Sequence, residues 1–145
     1  MTTQSIDFFK SIFEHFPNFA ILHINNNCED IKSISQDIAN TSDGKFTNIE
    51  FNDIDEKTFR LKSNTSTYTI LSDCLNLVEN QKQFLTTIYT GLENSAQVII
   101  LVKKDSTDLY ALYELLEEVN FTNTNTIDIF DEYDLVVTKK MRMWV

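Results

Sequence analysis

Amide and carboxylate side chains that could bind a ligand stand where predicted strands end. They are Asn25, Asn26 and Asn27, which follow one apolar run, and Glu50, which closes another. An amide can donate and accept hydrogen bonds, and a carboxylate can accept them from the hydroxyls of a ligand. Each also has a structural interpretation, because asparagines form polar turns and helix caps, and strand ends in α/β sheets often carry solvated carboxylates.

The cysteines and the strand histidine have spacings that favour structural roles. Cys28 and Cys74 form neither a disulfide framework nor a CxxC pair, and no HxxxH pair is present. We therefore interpret both as buried thiols and His23 as a core side chain whose hydrogen bonds are satisfied. Two unpaired cysteines, with no basic and apolar leader before them, predict a reducing, cytoplasmic location.

Composition and charge narrow the class of protein. The 145 residues fit one domain, so we predict a single domain over residues 1–145, and 42% hydrophobic residues suffice for a core. The net charge of −10 repels phosphate backbones and anionic lipid headgroups, so neither nucleic acid nor a membrane is an expected partner. No apolar run approaches the roughly 20 residues of a membrane helix.

Hydrophobic periodicity predicts helices that alternate with strands. Strands are predicted over Phe19–Ile24, Phe46–Phe51, Thr58–Lys62, Tyr68–Leu71, Val98–Val102, Thr126–Phe130 and Tyr133–Thr138. Helices are predicted over Ile6–Phe16, ended by Pro17, then from Glu29 to Ile38, from about Glu79 to Leu92, and from Leu109 to Val119. Asn26 or Asn27 is expected to cap the second helix, and Asp43 with Gly44 to turn the chain after it.

This order of elements predicts an α/β fold. Strands that are joined through helices run parallel, whereas the link at Asp131 and Glu132 is too short for a crossover and predicts a hairpin. We therefore expect a three-layer α/β domain with a mostly parallel sheet, helices on both faces and an antiparallel C-terminal hairpin.

Several segments resemble the class I methyltransferase family, which uses S-adenosylmethionine. Tyr68–Asn80 resembles that family's fourth strand and the approach to its next helix, and Leu115–Phe121 resembles the helix ending "lLeeaGF". Ile127–Lys140 resembles its terminal hairpin, and Gly91–Gln97 takes the place of a Pro-Gly-Gly-like turn. The resemblance is best over 68–144, about half the chain, and implies the Rossmann-like methyltransferase fold.

The glycine-rich loop of that family is replaced here by residues with side chains. Leu22–Glu29 takes the place of "LDlGcGtG", so that Asn25, Asn27 and Glu29 replace the three glycines, and His23 replaces the acidic residue. Asparagine tolerates a positive φ, but its side chain adds bulk where bare backbone lets a cofactor approach closely. The resemblance therefore implies that ordinary cofactor binding is weakened or lost.

Other features of the family are retained or missing. Glu50 matches the acidic residue that accepts hydrogen bonds from the ribose, about 20 residues beyond the loop. The chain between Glu50 and Tyr68 is short, so we expect a helix there, and with it part of the adenine pocket, to be missing. If the pocket is retained, the resemblance implies that S-adenosylmethionine contacts Asn25, Asn27, Glu50 and Asp73. No catalytic motif accompanies Ser72–Cys74, so no catalytic residue is predicted.

Three functions fit these features. The first is a degenerate methyltransferase-like protein that carries no cofactor and serves as a cytosolic binding or assembly module. The second is a small S-adenosylmethionine-dependent methyltransferase of unknown substrate, which acts through proximity and orientation. The third is a sensor that binds a nucleotide or another small metabolite in the crevice outside the strand ends.

Two further features suggest other partners. In the family topology the first and fourth strands are neighbours, which would bring together the potential ligands of a metal or redox site, namely Cys28, Cys74, His23 and Asp73. Their irregular spacing favours structural roles, and no metal is predicted. The apolar tail Met141–Val145, interrupted by Arg142, either finishes the last strand or offers a patch to a second copy in a homodimer.

Overall fold

The computed structural model describes residues 2–13 and 19–141. The described strands are β1 (Ala20–Asn25), β2 (Lys45–Glu50), β3 (Ser66–Ser72), β4 (Leu92–Lys103), β5 (Phe121–Ile127) and β6 (Tyr133–Lys140). The described helices are α1 (Thr3–Ser11), α2 (Glu29–Thr41), α3 (Gln81–Gly91) and α4 (Leu109–Glu118). None of these helices has the length and apolar character needed to cross a membrane.

The strands form one six-stranded sheet in the order β2-β1-β3-β4-β6-β5. β2, β1, β3 and β4 are parallel, and β6 is antiparallel to both β4 and β5. This confirms the predicted parallel sheet with an antiparallel terminal hairpin. The chain leaves β1 towards β2 on one side and returns to β3 on the other, so a topological switch point lies between β1 and β3. Open α/β sheets bind ligands outside the carboxyl ends of the strands at such a point.

Helices cover both faces of the sheet and enclose two separate cores. Successive residues of a strand point to opposite faces, so Leu71 packs in the cluster beneath α3 and α4, while Ile70 packs in the cluster beneath α1 and α2. Both side chains are fully buried. The run Val98–Val102 is buried throughout, as expected for a strand covered on both faces. The three-layer α/β architecture predicted from the sequence is therefore confirmed.

The segment Thr58–Lys62 is not a strand, contrary to the sequence prediction. It belongs to the connection between β2 and β3, whose only regular element among residues 51–65 is a 3-10 turn at Phe51–Asp53. Phe59 and Leu61 do alternate with exposed neighbours, but they pack on the core instead of joining the sheet. The Phe59 ring stacks on that of Phe84 with centroids 5.5 Å apart. The predicted loss of a helix in this connection is confirmed.

The strand β5 begins at Phe121 instead of at Thr126, and it ends at Ile127 instead of at Phe130. Its sequence alternates threonine and asparagine and is buried only at Phe121, so apolar periodicity could not locate its start. Asn123 has a φ of 55° beside a register shift against β6, which marks a bulge. A polar and bulged edge strand discourages pairing with another chain.

The segment Gly91–Gln97 forms no separate turn before the strand that follows it. β4 begins at Leu92, directly after α3, and a register shift against β3 lies between Ser66 and Tyr68. Ser95 takes a φ of 65° within this irregular stretch. The turn that the family resemblance implied is thus absorbed into the start of β4.

The predicted turn at Asp43 and Gly44 leads from α2 into β2 and requires glycine. Asp43 has a φ of 51°, and the Gly44 amide donates to the Ala39 carbonyl at 2.8 Å. A Cβ atom at Gly44 would lie 2.5 Å from Phe19 Cε1 and 2.8 Å from the Phe19 carbonyl oxygen. Because Phe19 is fully buried, neither atom can move aside cheaply.

Two predictions concern residues outside the described part of the chain. The first helix ends at Ser11, and Phe16 with Pro17, the predicted helix stop, lie outside the described residues. Most of the apolar tail, from Arg142 to Val145, also lies outside them. The described Met141 follows β6 and is about half exposed. Association into a homodimer through this tail therefore stays a prediction.

Candidate functional site

Parallel pairing brings the polar ends of β1, β2 and β3 side by side. Asn25 is the register partner of Glu50 on one side and of Ser72 on the other, and Asp73 follows Ser72. Three of the predicted ligand contacts, Asn25, Glu50 and Asp73, are therefore gathered at one edge of the sheet. We call the space between Asn25–Asn27 and Ser72–Asp73 the switch-point crevice.

Asn25 closes the turn that leads from β1 into α2, whose N-cap residue is Cys28. Its side chain is 1% exposed, and its Oδ1 accepts a hydrogen bond from the backbone N–H of Cys28 at 2.8 Å. Its Nδ2 lies 3.4 Å from Glu29 Oε1. The sequence prediction that Asn26 or Asn27 caps α2 is wrong, because the N-cap residue is Cys28 and it makes no capping hydrogen bond through its side chain.

Asn26 spans the crevice from β1 to β3. Its backbone N–H donates to the Ser72 carbonyl at 3.1 Å, and its side-chain Nδ2 donates to the Asp73 carbonyl at 2.8 Å. Sequence analysis gave no sign of this contact, since the partners lie 47 residues apart. The loop after β1 is thus fastened across the switch point by an amide side chain.

Asn27 is the exposed member of the loop. It takes a φ of 57°, in the left-handed region that asparagine tolerates better than most residues. The backbone therefore follows a left-handed path at this residue without glycine. Unlike the other three predicted contacts, Asn27 lines a cavity beside the crevice.

The Glu50 carboxylate already interacts with two neighbouring side chains, those of Asn48 and Lys32. Asn48 Nδ2 donates to Glu50 Oε1 at 2.9 Å, and Lys32 Nζ lies 3.8 Å from the same oxygen. The Lys32 ammonium is shared with Glu29, at 3.9 Å. The Glu50 side chain is 39% exposed, so one face of the carboxylate still reaches solvent.

Asp73 is the most enclosed carboxylate at the strand ends. It is 8% exposed and takes a φ of 54°, and its Oδ2 lies 3.5 Å from Lys103 Nζ. The Tyr133 hydroxyl donates to the same oxygen at 3.5 Å. Lys103 and Tyr133 lie on β4 and β6, and their roles were missed because only the sheet pairing brings them to Asp73.

Neither cysteine is an activated nucleophile. Burial raises the pKa of Cys28 and raises that of Cys74 to about 12, so both remain thiols at neutral pH. The Cys28 thiol contacts the Tyr133 hydroxyl at 3.9 Å, and both cysteines are free of disulfides. Among the described residues, no group of three or more His, Cys, Asp or Glu side chains could hold a metal ion. The alternative of a site at Cys28, Cys74, His23 and Asp73 gains no support.

His23 lies inside the protein and away from solvent. It is fully buried, and its Nε2 lies 2.7 Å from Ser72 Oγ, while Nδ1 makes no hydrogen bond with the described residues. Burial lowers its pKa from 6.5 to about 4, and Asn48 and Glu50 offset part of that effect. His23 is therefore a neutral core residue at physiological pH.

Solved structures with a similar fold were found at low sequence identity. A methyltransferase dependent on S-adenosylmethionine from Aquifex aeolicus matches with a TM-score of 0.74 and 11% identity, over 92% of this chain and 88% of that one. The CMeT domain of the citrinin polyketide synthase matches with a TM-score of 0.77 and 8% identity, over 97% of this chain and 52% of that one. This chain has the class I methyltransferase fold.

A third neighbour shows how much of a larger enzyme the chain corresponds to. It is phosphoethanolamine N-methyltransferase 2 of Haemonchus contortus, in complex with phosphomonomethylethanolamine and S-adenosylhomocysteine, with a TM-score of 0.73 and 10% identity. The match covers 96% of this chain and 52% of that one, so the chain spans about half its length. No protein-family model matches the sequence, and no curated protein is significantly similar to it.

The hydrogen bond from Asn26 Nδ2 to the Asp73 carbonyl, which we call the Asn26 bridge, should contribute measurably to the stability of this methyltransferase fold. We expect Asn26→Ala to lower the free energy of unfolding by about 1 kcal/mol, because one partly buried hydrogen bond to the Asp73 carbonyl is lost. Urea unfolding followed by circular dichroism measures the change. Asn40→Ala, on the exposed face of α2, is the matched control and should change stability by less than about 0.5 kcal/mol. Equal effects of the two substitutions would contradict the bridge.

Proposed function

We propose that this protein uses the methyltransferase fold without methyl transfer, as a cytosolic binding or assembly module. The observation that carries the proposal is the Asn26 bridge, whose side chain joins the ends of β1 and β3 at the switch point. In the family pattern this loop is rich in glycine, and the bare backbone of the glycines lets the cofactor approach closely. Here the same loop is fastened to Asp73 by a side chain.

The neighbouring side chains support the same conclusion. The Asn25 Oδ1 already accepts the Cys28 N–H, and the Glu50 carboxylate already binds Asn48 and Lys32. A cofactor that took these groups would have to replace hydrogen bonds within the protein and leave the buried Cys28 N–H without a partner. The residues present therefore do not fit the ordinary contacts of S-adenosylmethionine.

The chemistry of the nearby groups also favours a role without catalysis. The thiols of Cys28 and Cys74 stay protonated at neutral pH, and His23 is fully buried. A general base must reach the proton that it removes, and His23 cannot reach a ligand in the crevice without displacing Ser72. The free state of both cysteines is in keeping with the proposed reducing, cytosolic location.

A methyltransferase of unknown substrate is the second candidate function. The observation in its favour is the position of Glu50, which ends β2 beside Asn25 and keeps 39% of its side chain exposed. In that case S-adenosylmethionine would contact Asn25, Asn27, Glu50 and Asp73. The two candidates differ in a measurable way, since only the second requires the cofactor to bind.

Isothermal titration calorimetry with S-adenosylmethionine and with S-adenosylhomocysteine tests the proposal. We expect no saturable heat with either compound, which corresponds to a dissociation constant weaker than about 1 mM. The reason is that the loop would have to give up the Asn26 bridge and the hydrogen bond from the Cys28 N–H to Asn25 Oδ1 to admit them. A dissociation constant in the micromolar range would contradict the proposal and favour the methyltransferase.

A further inference from the structure

A cavity of about 510 Å³ opens beside the switch-point crevice. It lies between the N-terminal ends of α1 and α2 and the loop 128–132, which joins β5 to β6. Its volume is within the roughly 300 to 1,000 Å³ of sites that bind small molecules. Asn27 and Cys28 line it, but Asn25, Glu50 and Asp73 do not. The cavity therefore shares Asn27 with the predicted cofactor contacts, and the other three contacts lie outside its lining.

The cavity combines an apolar wall with an acidic surround. Ile31, Phe130 and Cys28 line it and are each at most 8% exposed, so they form a fixed inner wall. Four exposed carboxylates line it as well, namely those of Glu29, Asp30, Asp131 and Glu132. An apolar wall suits an aliphatic or aromatic body, and carboxylates suit cationic groups attached to that body.

The side chains that line the cavity carry a net negative charge. Among the described residues that line it, none is a lysine or an arginine. Glu29 has Lys32 at 3.9 Å, and Lys104, paired with Asp128, also interacts electrostatically with Asp131, whereas Asp30 and Glu132 form no ion pair with other described residues. The two helix N-termini contribute about half a positive charge each, which is small against four carboxylates. A cavity with one sign of charge concentrates counter-ions of the other sign.

The carboxylates of the cavity come from two elements and do not form a metal site. No three acidic, histidine or cysteine side chains in the described part of the chain could hold one metal ion. Glu29 and Asp30 belong to the first turn of α2, while Asp131 and Glu132 belong to the loop between β5 and β6. A ligand that neutralises both pairs carries more than one positive charge.

We propose that this cavity binds a small organic diamine or polyamine. One ammonium group lies between the carboxylates of Asp131 and Glu132, and another faces Glu29 and Asp30 at the start of α2. The methylene chain packs against Ile31 and Phe130. The inference goes beyond the proposed loss of methyl transfer, because the carboxylates that it uses, those of Glu29, Asp30, Asp131 and Glu132, are not among the predicted cofactor contacts.

Isothermal titration calorimetry with putrescine, cadaverine and spermidine tests the inference on the full chain. We expect saturable binding with one ligand per chain, and no binding of pentanediol, which has the shape of the diamine without its charges. The double variant D131N/E132Q should bind about tenfold more weakly, because two exposed ion pairs are lost. Both side chains are exposed, so the variant should keep its fold, which circular dichroism verifies.

A matched double variant separates a site from the general attraction of an acidic protein for cations. E114Q/E117Q removes the same charge from the exposed face of α4, far from the cavity lining, and should bind the amines with unchanged affinity. Equal weakening in both double variants, or no saturable binding of any amine, would overturn the inference. So would amide chemical shifts that change on titration only outside residues 27–31 and 128–133.

Discussion

Replacing Asn25 with glycine, the residue of the family pattern, should lower the free energy of unfolding by about 2 kcal/mol. The substitution removes the Oδ1 that accepts the Cys28 N–H at 2.8 Å and leaves a buried donor without a partner. Glycine also adds backbone entropy to the unfolded chain. Urea unfolding at neutral pH measures the loss. The change should not create binding of S-adenosylmethionine, because the Asn26 bridge remains.

Asn27→Gly is the matched control in the same loop. Asn27 is exposed and has a φ of 57°, a conformation that glycine adopts without strain. We therefore expect its stability to differ from that of the wild type by less than about 0.5 kcal/mol. Two substitutions to glycine, two residues apart, should thus have very different costs. Similar costs for both would show that the hydrogen bond from the Cys28 N–H to Asn25 does not stabilise the protein.

Acidification should destabilise the protein through His23. Its pKa is lowered to about 4 in the folded state by burial, against 6.5 for the unfolded chain. Between these values the unfolded state binds the proton more tightly, so stability is fully present above about pH 6.5 and falls as the pH drops towards 4. Between about pH 7 and about pH 5, the expected loss from this one group is about 2 kcal/mol.

The measurement compares the free energy of unfolding of the wild type and of His23→Gln at these two pH values. Both lie above the isoelectric point of about 4.5, which limits aggregation. The variant will be less stable at neutral pH. Its free energy of unfolding should nevertheless fall less on acidification than that of the wild type, by about 2 kcal/mol. His15→Gln removes the other histidine and serves as the comparison. If the free energy of unfolding fell by the same amount between the two pH values in the wild type and in His23→Gln, the burial of a neutral histidine would be contradicted.

The layers of the fold and the place of the crevice could be predicted because they depend on local patterns. Apolar runs such as Val98–Val102 mark strands buried on both faces, and helical periodicity separates them, so parallel pairing follows. Parallel strands present their carboxyl ends at one edge, which places Asn25 beside Glu50. The segment Thr58–Lys62 shows the limit of this reasoning, because alternation also arises in an irregular segment packed on the core.

The contacts that decide the proposed function could not be read from the sequence. The Asn26 side chain reaches the Asp73 carbonyl only because β1 and β3 are neighbours and the loop turns at a particular residue. The sequence predicts Asn26 or Asn27 as the cap of α2, whereas the N-cap is Cys28 and the buried Asn25 accepts the Cys28 N–H. Element types follow from periodicity, whereas the direction of a single amide depends on the packed structure around it.

The most direct test of the closed crevice is a crystal structure of the protein grown with S-adenosylhomocysteine at high concentration. We predict electron density for the Asn26 amide on the Asp73 carbonyl, as in the structure described above, and none for the cofactor product between β1 and β3. Density for an adenosyl group against Asn25 and Asn27, with its ribose on Glu50 and the Asn26 bridge broken, would contradict the account.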